Sequence, residues 1–217
     1  MAAADEYWNH NTAYHPWLLG LAERRRGRVL DVGCGDGLLV QRLAEVADSV
    51  TGIDPDPVAV RRACERVGPD ASITLLHCRF DEFDPGDSGF DLITFVASLH
   101  HMDLRGSLVR ARELLNPGGS IAVVGLSANA SAADWLFSAL CLPAVRIGSR
   151  WHREQSDVGV TVADPRESLA EIRRVAGDVL PGAQIRRALY YRYLLFWTRD
   201  TGPVTSRRTG WRPSRRA

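Results

Sequence analysis

The chain has 217 residues, 45% of them hydrophobic and 24% charged, with a net charge of +1; that is enough for one domain with a full core, and it excludes disordered and fibrous classes. No apolar run approaches the roughly 20 residues of a membrane span, and Met1–Glu6 lacks a basic stretch followed by an apolar one, so a cytoplasmic location without a membrane partner is expected. Cys34, Cys64, Cys78 and Cys141 form no C-x-x-C pair and sit in apolar or motif settings, which argues against a disulfide frame and a metal site.

From Asp5 to Arg26 the pattern predicts one or two helices, interrupted near His15-Pro16. A strand is expected over Arg28–Val32, then the glycine-rich turn Gly33-Cys34-Gly35-Asp36-Gly37, then a helix over Leu38–Ala47. The glycines let the backbone turn sharply and approach a ligand closely, and the helix start offers N–H groups. A second strand, Ser49–Asp54, ends on a carboxylate placed to accept hydrogen bonds from a ribose diol. Pro57–Val67 reads as a helix with proline in its first turn, and Ser72–His77 as a third strand. Phe90–Ala97 is a continuous apolar run, as expected of a buried parallel strand. A helix follows over Arg105–Leu115, then the turn Asn116-Pro117-Gly118-Gly119 and a fifth strand, Ser120–Leu126. Strands alternating with helices imply a parallel sheet.

The end of the chain breaks that rhythm. Ala163–Val179 reads as largely helical, and Gln184–Tyr190 and Arg192–Thr198 as strands with no room for a helix between them, so they must pair as a hairpin. Residues 201–217 are rich in Gly, Pro, Ser and Arg and are expected to be a disordered basic tail. Five arginines lie there; taking them from the net charge of +1 leaves about −4 for the folded part, so no nucleic-acid partner is expected.

The turn distinguishes between cofactors. A dinucleotide fingerprint is G-x-G-x-x-G, whereas here the spacing is G-x-G-x-G and Leu38 stands where the third glycine would fall. Asp31, two residues before the first glycine, suits a cofactor with a cationic amino-acid head and would repel a pyrophosphate. Asp31, the glycine triplet and Asp54 together resemble motif I of the class I S-adenosylmethionine (SAM) dependent methyltransferases. Phe90-Asp91-Leu92-Ile93 is similar to that family's strand-four motif, and Leu114-Leu115-Asn116-Pro117-Gly118-Gly119 to its turn before strand five. The resemblance covers roughly residues 28–199 and is to compact bacterial small-molecule and secondary-metabolite enzymes.

That resemblance implies an α/β fold: a Rossmann-like seven-stranded sheet, mostly parallel with one antiparallel edge strand from the C-terminal hairpin, and helices on both faces. It implies SAM as cofactor, held by Tyr7, Asp31, Gly33, Cys34, Gly35, Asp54, Pro55, Phe80 and Ala97. One departure from the family concerns the adenine. Where many relatives carry an Asp after strand three, this chain has Arg79, followed by Phe80, and Asp81 comes two residues late. Residues 1–26 are expected to form a helical lid over the acceptor site, 27–200 the methyltransferase domain, and 127–164 an insertion that caps it. Both extra segments carry aromatic residues, among them Trp17, Trp135, Phe137 and Trp151, which suits a flat apolar acceptor as well as it suits anchoring of the helices.

Methyl transfer from a sulfonium is a direct displacement, so alignment supplies much of the rate and a base is needed only where the nucleophile must lose a proton. The candidates for such a base are His100 and His101 in Ser98-Leu99-His100-His101-Met102, then Tyr14 and His15. The expected acceptor is a small aromatic molecule, with C-methylation of an indole as one form and O- or N-methylation of a quinone, phenol or amine as another. A SAM-binding protein turned to non-methylating chemistry, an NAD-dependent oxidoreductase and a nucleic-acid methyltransferase are the competing readings; glycine spacing and the hairpin oppose the second, and the absence of an N/D-P-P-Y/F motif the third. The chain is expected to be a monomer or a homodimer.

Overall fold

A computed structural model of the chain describes residues 9–128, 165–189 and 192–201. The expected position of Tyr7, nearly all of the 127–164 insertion and the basic tail lie outside the described residues. After a single 3-10 turn at Thr12–Tyr14, helix α1 spans His15–Arg25, with Pro16 in its first turn, where its missing N–H costs nothing. There follow β1 (Arg28–Val32), α2 (Leu38–Ala44), β2 (Ser49–Asp54), α3 (Pro57–Val67), β3 (Ile73–His77) and β4 (Phe90–Val96). The chain continues through α4 (Leu104–Leu114), β5 (Leu115–Leu126), α5 (Leu169–Val179), β6 (Gln184–Ala188) and β7 (Arg192–Thr198).

The seven strands form one sheet in the order β3-β2-β1-β4-β5-β7-β6. β1, β2, β3, β4 and β5 pair in parallel, while β7 runs antiparallel to both β5 and β6. The reversed strand is inserted one place in from the edge, so β6 closes the sheet in the same direction as the others. Strand order reverses between β1 and β4, which makes the crevice at their carboxyl ends the natural ligand position.

Alternation along the strands splits the core into two layers. Val29, Leu92, Ala122, Val124 and Leu194 pack under α1 and α2 with Leu18, Leu21, Leu39, Val40 and Leu43. Leu30, Val32, Ile93, Phe95, Ile121, Val123 and Leu195 face the other way, against Leu108 and Ala111 of α4 and Ile172, Val175 and Ala176 of α5. Fully burying one such side chain contributes about 1.5–3 kcal/mol.

Helix boundaries follow caps more closely than hydrophobicity. Ser168 accepts from the Glu171 N–H at 3.2 Å and starts α5 at Leu169, six residues later than its apolar pattern predicts. Asp56 and Asp103 cap α3 and α4 in the same way. Asp91 lies at the amino end of the sheet, where its carboxylate accepts from Arg28 N–H at 2.8 Å and from Asn116 Nδ2 at 3.0 Å. Its position is that of a strand-start clamp, at the opposite end of the sheet from the glycine turn.

Two connections organise the carboxyl end. Ala128 N–H donates to the Glu167 carbonyl at 2.8 Å, which joins the segment before α5 to the chain just beyond β5. Asn11 Oδ1 accepts from both Nε and Nη2 of Arg192, at 3.0 and 2.8 Å, and the Tyr14 hydroxyl donates to the Leu189 carbonyl at 2.6 Å. The segment before α1 is thereby fastened to the tip of the C-terminal hairpin.

Candidate functional site

All three glycines of the turn have positive φ: Gly33 at 77°, Gly35 at 55° and Gly37 at 78°. The reason differs at each. A Cβ on Gly33 would lie 2.4 Å from that of Ser98, and one on Gly37 would lie 2.8 Å from that of Ala63. At Gly35 a Cβ would meet nothing within 4 Å, so there the backbone itself is open to a ligand. The Gly33 and Cys34 N–H groups donate to the Ile53 carbonyl at 2.8 and 3.0 Å, which draws the turn onto the end of β2.

Asp54, at that strand end, is 9% exposed. Its Oδ2 accepts from the Gly35 N–H and its Oδ1 from the Asp56 N–H, both at 2.9 Å. Each carboxylate oxygen has a further lone pair, so a carboxylate already oriented by two amides still has acceptor capacity for a diol. A fixed diol acceptor beside an open, left-handed glycine fits the ribose of a nucleoside cofactor.

Asp31 lies directly opposite Thr94 in the β1–β4 pairing and is 2% exposed. The Thr94 hydroxyl donates to Asp31 Oδ1 at 2.7 Å. Burial pushes the Asp31 carboxyl up to about 7, with Thr94 opposing the shift and the charge of Asp54 adding to it. Such a group gains most when a cation arrives beside it. The Cys34 side chain is buried as well, and burial, with Asp31 and Asp54 nearby, raises its thiol pKa; this cysteine packs and stays protonated.

The far side of the crevice is the tip of β4. Ala97 adopts φ 52° and donates its N–H to the Val124 carbonyl at 2.8 Å. The Ser98 hydroxyl donates to the Val32 carbonyl at 2.5 Å, and its Cβ fills the space that Gly33 leaves. His100 and His101 follow in a 3-10 turn whose Leu99 is buried in the core. Their rings lie 4.1 Å apart, tilted by 38°, with His101 exposed and His100 half-buried.

The structure therefore gathers Asp31, Gly33, Cys34, Gly35, Asp54, Ala97, His100 and His101 around the carboxyl ends of β1, β2 and β4. Pro55 is exposed beside them, and its carbonyl accepts from His77 Nε2 at 3.0 Å. The other candidates are held by contacts of their own. His15 is 4% exposed with Nδ1 3.0 Å from Arg42 Nη1, and burial together with that guanidinium lowers its pKa to about 3. It is a neutral packing group at the head of α1. Tyr14 is committed to the hairpin tip. The Phe80 side chain is buried edge-on against Phe95 with ring centroids 5.4 Å apart, and its carbonyl accepts from Arg110 Nε at 2.9 Å. Arg79 turns outward and pairs with Asp81 through two bonds of 3.0 Å. Trp17 lines a cavity of about 790 Å³ with Leu21, Arg24, Arg186 and Phe196. β6 begins at the amino end of the sheet, so this cavity, which also includes Gln184, opens away from the glycine turn.

Thr94, Ser98 and the Asp36–Arg66 pair are the members of the site that sequence reasoning did not find. The first two follow only from strand register, and the third from the packing of α3.

Residues 29–119 match the methyltransferase-domain family. An uncharacterised methyltransferase of Mycobacterium tuberculosis is 36% identical over 197 residues, covering 89% of this chain and 98% of that protein. A ubiquinone biosynthesis O-methyltransferase of Paracidovorax citrulli is 32% identical over 145 residues, covering 59% of this chain and 60% of its own. Among solved structures, the N-methyltransferase NodS of Bradyrhizobium japonicum with bound S-adenosylhomocysteine (SAH) superposes with a TM-score of 0.60 at 18% identity, covering 88% of each chain.

Proposed function

The chain belongs to the SAM-dependent methyltransferase family, and from that premise we propose that it methylates an oxygen of a small aromatic acceptor. The observation that carries the reading is the seating of Ser98 against Gly33, which puts the His100–His101 pair at the rim of the cofactor turn. Oxygen as the target is supported by the O-methyltransferase from P. citrulli.

SAM, when bound, supplies a methyl group on a sulfonium whose departure leaves a neutral thioether. In this reading Asp54 accepts from the ribose hydroxyls, the open backbone at Gly35 lets the cofactor approach closely, and Asp31 faces its cationic amino-acid head. The acceptor's hydroxyl oxygen forms the new C–O bond as the C–S bond breaks. The hydroxyl proton passes to His101, whose exposed ring is free to take it up and return it to water, while His100 stacks on that ring and holds it in place. The fastened segment Asn9–Tyr14 serves as part of a lid.

Incubation with methyl-deuterated SAM and a panel of phenols, quinols, indoles and amines tests this by mass spectrometry. A deuterated methyl on a phenolic oxygen is the expected product. Methyl gain on carbon or nitrogen alone would overturn the choice of atom, and binding of SAM without product on any aromatic acceptor would overturn the aromatic class.

A further inference from the structure

The glycine turn is gripped from α3 as well as from β2. Asp36 sits between two left-handed glycines, Gly35 and Gly37, a stretch with unusual backbone freedom when nothing restrains it. Arg66, in the last turn of α3, restrains it at two points: Nε donates to the Asp36 carbonyl at 3.0 Å and Nη2 to its carboxylate at 2.8 Å. Both side chains are largely buried, at 15% and 17% exposure. One turn earlier on α3, Ala63 leaves no room for a Cβ on Gly37. At its other end α3 begins at Asp56, whose N–H is held by the same Asp54 carboxylate that holds Gly35. The turn and α3 are thus tied together at both ends of the helix.

We propose that Arg66 is a positioning residue for the cofactor: it holds Gly35-Asp36-Gly37 in its binding shape before SAM arrives. This rests on the assignment of the turn to SAM. The planar guanidinium makes two directed bonds from one rigid fork, which a lysine cannot reproduce. Removing it leaves the turn to be ordered at the expense of binding.

SAH titration calorimetry and steady-state kinetics test the proposal. Arg66→Ala is expected to weaken SAH about tenfold, the loss of roughly one charge-assisted contact's worth of preorganisation. Arg66→Lys should fall between it and the unaltered protein. The KM for SAM should rise while kcat at saturating SAM stays within about twofold, and a double Arg66→Ala, Asp36→Ala variant should bind no worse than Arg66→Ala. A merely structural role would lower melting temperature and leave the KM for SAM unmoved. A folded Arg66→Ala protein with unaltered SAH affinity overturns the proposal; should that variant not fold, unaltered affinity in Arg66→Lys does the same. Failure of the unaltered protein to bind SAH would instead remove the assignment of the turn itself.

Discussion

The Thr94 hydroxyl and the Asp31 carboxylate meet at 2.7 Å across the β1–β4 pairing, at the point where strand order reverses. The Thr94 hydroxyl opposes a shift by which burial raises the Asp31 pKa from 3.8 to about 7. Near neutral pH Asp31 is therefore divided between its two forms in the unliganded protein. In the proposed site the cation of SAM favours the ionised one, so binding below about pH 7 should release a proton. We expect SAM affinity to fall as pH drops from 8 to 6, by up to about tenfold per pH unit at the lower end. Titration calorimetry across that range checks it, and Asp31→Asn should bind weakly with no such slope.

The same residue has the opposite effect on stability. A carboxyl whose folded pKa lies above its unfolded one contributes stability that is complete below about pH 4 and lost as pH rises through about 7. Without SAM, Asp31→Asn should therefore be the more stable protein at pH 8, by roughly 1–3 kcal/mol, or several degrees in Tm. Saturating SAM should reverse the ranking. Thermal melts of both proteins with and without SAM decide this, and a less stable unliganded Asp31→Asn protein at pH 8 would contradict it.

Asp54 joins the turn to α3 and, in the proposed site, offers its remaining lone pairs to the cofactor. Asp54→Ala should weaken SAM by at least about tenfold, since charge-assisted hydrogen bonds are lost and two amides are released. Asp54→Asn keeps the shape and an acceptor oxygen and should lose less. Equal affinities in all three proteins would mean that the ribose is held elsewhere.

The sheet and its cofactor turn were legible in the sequence because each strand carries its own signal. Phe90–Val96 carries large apolar residues on both faces, as expected of a central parallel strand, and Gly33, Gly35 and Gly37 are required by local backbone geometry. Two adjacent strand patterns without room for a helix fixed the hairpin. Contacts made through tertiary register carry no such signal. Nothing near Thr94 marks it as the partner of Asp31, 63 positions away, and Arg66 looks like any other charge in the last turn of a helix. Nor does the sequence mark the contacts made by His15 and Tyr14, two of the candidate bases. Their residue types suit proton transfer, but α1 buries His15 against Arg42, and the 3-10 turn before it aims Tyr14 at Leu189.

The burial of His15 has a consequence under acid. Its pKa is lowered from 6.5 to about 3, first by burial and then by Arg42. The stability it contributes is present above about pH 6.5 and is lost as pH falls through about 3, because the folded protein resists protonating it. Between pH 6.5 and 4 the Tm should fall more steeply in the unaltered protein than in His15→Gln, which presents an amide oxygen to Arg42 and does not titrate. The difference should amount to roughly 1–3 kcal/mol by pH 4. Turnover at neutral pH should be nearly unchanged in His15→Gln; a loss of kcat of tenfold or more would restore His15 as a participant in the chemistry.

Gly33 and Gly35 separate folding from binding within one turn. Both have positive φ, which costs a side-chain-bearing residue roughly 1–2 kcal/mol. Gly33→Ala adds a contact of 2.4 Å with the Cβ of Ser98, which cannot yield easily because its hydroxyl is fixed to the Val32 carbonyl. Gly35→Ala adds no contact within 4 Å. The first should lose several degrees of Tm beyond the second, on the order of 2–4 kcal/mol in all, from overpacking added to backbone strain. The second should fold with a modest loss and yet bind SAM at least about tenfold more weakly, because its methyl group projects where, in the proposed site, the cofactor approaches the backbone. Tm and SAM affinity measured on the two variants should therefore rank them in opposite orders of stability loss and residual binding per folded molecule. A Gly35→Ala protein that binds SAM as tightly as the unaltered chain would show that the cofactor does not pass over this part of the turn.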